Sequence, residues 1–244
     1  MLVVGGLRVL QNGEMAFAVP AGSVADLRFG LVNTFNRVGA ETGRIPANRL
    51  LALLFAPDGA PLAREQVIPR LGQFHWRSRL AMDLFCAGYA RRGGSASIDQ
   101  TFRTVLDHGP DGEWLFSDFG FDEVRRYVET ESGWRYSGEV DLLLVNARLD
   151  PEGWEALVDF RSGAEIRLAN AIADQAIGSV AGLLERLFEY AERSPDTATA
   201  ASFAAKQAGK TIAGSLVEVV LGALPVDVRP LWKQGRHIRP LAFS

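Results

Sequence analysis

Cysteine is almost absent from this chain of 244 residues: Cys86 stands alone, so no disulfide can form within it. A single thiol fits a reducing compartment, and the expected location is the cytoplasm. Lysine is scarce as well. Only Lys206, Lys210 and Lys233 occur among 26 basic residues, and the rest are arginine. A GC-rich genome accounts for such a bias, and planar guanidinium groups also suit interfaces. Histidine occurs only at His75, His108 and His237, none at ligand spacing with another or with Cys86. That argues against a structural zinc site. No run of ~18–20 apolar residues exists, so no membrane span is expected. The N-terminal stretch has no basic n-region, and Arg8, Gln11, Asn12 and Glu14 interrupt its apolar residues. It does not read as a signal peptide. Excess charge is missing too: the net value is −3, with no basic stripe. A broad electrostatic footprint for nucleic acid is therefore not supported.

What is present is a globular composition. Apolar residues make up 48% and charged residues 23% of the chain, which argues against disorder over most of its length. A chain of this size buries roughly 70–75% of its unfolded surface and needs no staple. Residues 2–10 and 15–19 read as strands around the Gln11-Asn12-Gly13 turn. Residues 26–35 read equally as a strand or a short helix. Residues 44–55 read as a helix ended by Pro57-Asp58-Gly59. Residues 80–87 read as a strand, and 107–112 as a loop. Phe121, Val124 and Val128 mark one face of a helix over 121–131. Strands over 139–147 and 156–160 follow, joined by a turn at Asp150-Pro151-Glu152-Gly153.

The last third reads as helical. Apolar residues from Ile172 to Ala191 recur every three or four positions, which predicts one helix over 168–191. Ser194-Pro195-Asp196 opens a second helix to about Leu224. A tail from Pro225 to Ser244 reads as an extended arm anchored by Trp232 and Phe243. The fold class expected is α/β or α+β, a mixed sheet body with a C-terminal helical hairpin. Residues 1–165 form the body, and 166–244 the hairpin and arm packed on it as one unit. The Gly178-x-x-x-Gly182 spacing predicts close packing between the two hairpin helices.

Several motifs carry no chemistry. Gly209-Lys210-Thr211 looks like the end of a P-loop, but Ala204 stands where the first glycine belongs. Cys86 ends an apolar strand, an arrangement similar to that of caspase-like proteases. Those need a histidine about 50 residues upstream, and none is there. Cys86 is read as a buried, inert thiol. One internal repetition is present. Trp76 precedes Asp83 at the same distance as Trp134 precedes Asp141, each aspartate lying within a strand candidate. Chance between two core strands accounts for it.

The most informative stretch runs from Gly138-Glu139-Val140-Asp141-Leu142 to Leu157-Val158-Asp159-Phe160-Arg161. It resembles the core of the PD-(D/E)xK nucleases. The resemblance implies a helix acid, Glu123 or Glu129, with Asp141 and Asp159 as ligands of Mg²⁺. It also implies a lysine two residues beyond Asp159, where this chain has Arg161. Arginine stays protonated and does not replace lysine neatly.

Two readings follow. The first is a non-catalytic cytoplasmic module, without a cofactor or metal, that presents its helical hairpin and arm to a protein partner or a second copy. The second is a metal-dependent nuclease with a degenerate site at Glu123, Asp141, Asp159 and Arg161, which alone brings in nucleic acid. They divide on one geometric question: whether Asp141 and Asp159 converge to within ~4–6 Å in an accessible cleft.

Overall fold

The computed structural model describes residues 7–9, 15–17, 22–78, 82–92, 102–109, 112–150, 152, 155–193 and 238–241. Strands β1 (Leu7–Val9) and β2 (Met15–Phe17) pair as the expected antiparallel hairpin. Helix α1 (Val24–Thr42) resolves the ambiguity at 26–35. Leu27, Leu31, Phe35 and Val38 are buried at helical spacing. Ser23 caps the start by accepting from the Asp26 amide at 3.1 Å, and Gly43 ends the helix at φ 74°.

Strand β3 (Arg49–Phe55) corrects the helix expected over 44–55. Every residue in it is buried. A strand covered on both faces reads as a continuous apolar run, so Leu50–Phe55 carries no alternation to betray it. It is an inner strand, between β8 and β4, of a five-stranded mixed sheet. A crossover returns the chain through a π-helical turn (Ala63–Val67), a 3₁₀ turn (Ile68–Arg70) and helix α2 (Leu71–Arg77). Strand β4 (Asp83–Cys86) then pairs parallel to β3, with Leu51 opposite Asp83. Strands β5 (Tyr89–Arg91), β6 (Phe102–Gly109) and β7 (Gly112–Ser117) form a separate sheet in the order β5-β7-β6. Most of the loop expected at 107–112 is thus strand.

Helix α3 (Asp118–Ser132) buries Phe121, Val124 and Val128 as expected. Ser117 caps it by accepting from the Gly120 amide at 3.1 Å. Strand β8 (Asp141–Leu149) pairs antiparallel with β3, placing Asp141 opposite Phe55. Strand β9 (Ala156–Arg167) continues well past the expected end at Phe160. Two close glycines bind these pieces together. Gly88 sits at φ 79° and donates to the Gly22 carbonyl at 3.2 Å, while the Ser117 amide donates to the Gly88 carbonyl at 2.8 Å. A Cβ at Gly88 would lie 2.8 Å from both Phe121 Cβ and the Ser117 carbonyl oxygen. The starts of α1 and α3 therefore meet at the β4–β5 turn only because no side chain stands there.

The single helix expected over 168–191 is two: α4 (Leu168–Ala173) and α5 (Val180–Arg193). The chain turns between them, with Gln175 at φ 56°. Ser179 starts α5, accepting from the Gly182 amide at 3.0 Å. Gly178 therefore lies outside the helix and is exposed, and a Cβ at Gly182 would meet only Ser179 Oγ. The glycine seam expected between the hairpin helices involves a second helix that lies outside the described residues. Among the described residues α5 docks on the crossover. Arg77 bridges Glu185 at 3.0 Å and Glu192 at 2.7 Å, and the Val180 amide donates to Gln66 Oε1 at 2.9 Å.

The second hairpin helix, Trp232 and Phe243 lie outside the described residues. Part of the arm is extended as expected. Strand β10 (Ile238–Pro240) pairs antiparallel with β9, and the Leu241 amide donates to the Gly163 carbonyl at 3.0 Å. The arm thus completes the body's own sheet, in the order β10-β9-β8-β3-β4. The boundary drawn at 165/166 falls inside β9.

Candidate functional site

Asp141 opens β8 at the end of the sheet where β3 finishes. It is 1% exposed. Ser137 occupies both carboxylate oxygens: its amide donates to Oδ2 at 2.9 Å and its hydroxyl to Oδ1 at 2.8 Å. Burial pushes the Asp141 carboxyl above its usual range, against the two Ser137 bonds and the charge of Arg167. The loop that delivers Ser137 is held by aromatic packing. Trp134 and Tyr136 lie 4.6 and 6.4 Å from the Phe55 ring, centroid to centroid. Tyr136 also donates its hydroxyl to the Glu139 carbonyl at 2.6 Å, and its amide to Glu129 Oε1 at 3.0 Å.

Asp159 is elsewhere. It stands opposite Asn146, five residues along β8 from Asp141. At the strand rise this is about 17 Å, far outside metal-bridging distance. The register set at the turn, with Leu149 opposite Ala156, puts it there, and a bulge beyond it decides which residue meets Asp141. Leu144 faces Ala164 and Asn146 faces Asp159, so Val145 alone spans the stretch that β9 covers with residues 160–163. Within the bulge Asp159 Oδ1 accepts from the Arg161 amide at 2.9 Å, and the Arg161 side chain is exposed. The pairing of Asp141 with Asp159 is therefore corrected by the register.

Glu123 is half-buried on α3. Glu129 is bridged to Arg125 at 3.0 Å as well as to Tyr136. Arg135 donates to the Glu129 and Trp134 carbonyls at 3.0 Å each. Among the described residues, no three His, Cys, Asp or Glu side chains converge as a metal cage.

The sequence reading missed Glu165 and Arg167. Arg167 is the direct partner of Asp141 across the ladder, and Glu165 the partner of Leu143. Alternation puts Asp141, Glu165 and Arg167 on one face of the sheet. Glu165 is 8% exposed, and its Oε1 lies 3.9 Å from Arg167 Nε, which has no hydrogen-bond acceptor among the described residues. The Glu-x-Arg spacing of 165–167 was legible, but a strand ended at Phe160 hides it.

At the other end of β3, Arg49 and Asp83 form a buried ion pair at 2.7 Å, with side chains 3% and 11% exposed. Desolvation raises the Asp83 carboxyl, and Arg49, Thr34 and Arg37 oppose the rise. The repetition around Trp76 and Trp134 thus delivers Asp83 and Asp141 to opposite ends of β3, on strands running in opposite senses. On the surface Arg103 holds Asp58 through two bonds, at 2.6 and 2.5 Å, and also holds Asp118. Phe119 beside it is 68% exposed. Cys86 is half-buried, and burial pushes its thiol up to about 12. No protein-family model, curated protein or solved structure matches the chain.

Proposed function

We propose that this chain is a non-catalytic interaction protein, acting in a reducing compartment such as the cytoplasm. Its α/β body carries a C-terminal helical segment and arm toward a protein partner or a second copy. One observation carries the reading: both oxygens of Asp141, the acid best placed for chemistry, are taken up by Ser137 inside the fold. The body invests its carboxylates in structure, as Asp83 does with Arg49 and Glu185 and Glu192 do with Arg77. No helix among the described residues is long and apolar enough to cross a membrane. The test pairs sedimentation of the full chain over a wide concentration range with nuclease assays in Mg²⁺ and Mn²⁺. Metal-dependent cleavage that disappears in Asp141→Asn, with the fold intact, overturns the proposal.

A second reading is favoured by one feature, the shared face of Asp141, Glu165 and Arg167. In it the degenerate nuclease site is Asp141 with Glu165-x-Arg167, not Asp159-x-Arg161, and nucleic acid is the substrate. As it stands the donor set does not fit a divalent cation: the Asp141 oxygens accept from Ser137, and Arg167 stands where the resemblance calls for lysine and stays protonated. This reading requires Ser137 to release Asp141.

A further inference from the structure

We draw no further inference here: the strongest candidate, the surface file in which the His75 ring on α2 lies 5.8 Å from exposed Trp76 and 6.0 Å from buried Trp114 on β7, whose indole N–H has no acceptor among the described residues, carries nothing because nothing in the structure shows what covers it.

Discussion

Asp141 and Arg167 face one another across the β8–β9 ladder, while Asp159 faces Asn146. A bulge at residues 160–163 sets the Asp141–Arg167 pairing, and with it puts Glu165 on the face of Asp141. It also separates the two functional readings by experiment. If the chain is an interaction module, Mg²⁺ or Mn²⁺ leaves the melting temperature unchanged. If Asp141 and Glu165 hold a cation, metal raises it through binding to the native state. Asp141→Asn and Glu165→Gln then abolish the rise, and Asp159→Asn leaves it intact. A rise lost only in Asp159→Asn contradicts the register.

The pH dependence of Asp141→Asn tests how that carboxyl is held. Its folded pKa is raised by burial above the unfolded value of about 3.9. The folded state therefore binds the proton more tightly. The stability tied to this group is present below about pH 4 and is lost as pH rises through the folded pKa. Asparagine removes that loss, so the variant gains on wild type between pH 4 and 7 in urea unfolding. A relative loss over the same interval means that cationic neighbours stabilise the carboxylate, contrary to this account.

The Arg49–Asp83 pair is the costliest to break from one side. Asp83→Ala strands a guanidinium that is 3% exposed, and a loss of about 3–5 kcal/mol is expected. The double variant Arg49→Met, Asp83→Leu recovers most of it, because neither buried charge remains. Equal losses in the single and double variants argue against a desolvated charge as the cause.

Gly88→Ala forces a left-handed φ of 79° and a Cβ 2.8 Å from backbone oxygen, so a loss of at least ~1–2 kcal/mol is expected. Gly178→Leu meets nothing within 4 Å among the described residues, so its denaturant midpoint reads the second hairpin helix: a loss of ~1–3 kcal/mol supports the packed glycine seam, and an unchanged midpoint contradicts it.

Cys86 reacts slowly in the native protein. With its thiol pushed up to about 12, the thiolate is roughly one part in 100,000 at pH 7. A chromogenic thiol reagent labels it within minutes only after denaturation. Prompt stoichiometric labelling of the folded chain contradicts the burial.

Local pattern was enough for α3, where Phe121, Val124 and Val128 recur at helical spacing between Ser117 and Gly133. It was enough for the β1–β2 hairpin, for the strand before Cys86 and for a mixed helix-and-strand fold. Those features depend on residues within one or two turns of each other. Tertiary structure decided the rest. Leu50–Phe55 is a strand because β4 and β8 flank it and both its faces are covered, an environment its uniform apolar run does not encode. The helix expected over 168–191 breaks at Gln175, since a gap in periodicity of a few residues is indistinguishable from a continuing helix until α5 docks on the crossover. The site followed the same rule. Asp141 stood out in the sequence, but its partner depends on how many residues β9 spends against Val145. Register is a property of two strands together: pairing from the turn put Asp159 opposite Asn146, and the surplus at 160–163 brought Arg167 opposite Asp141.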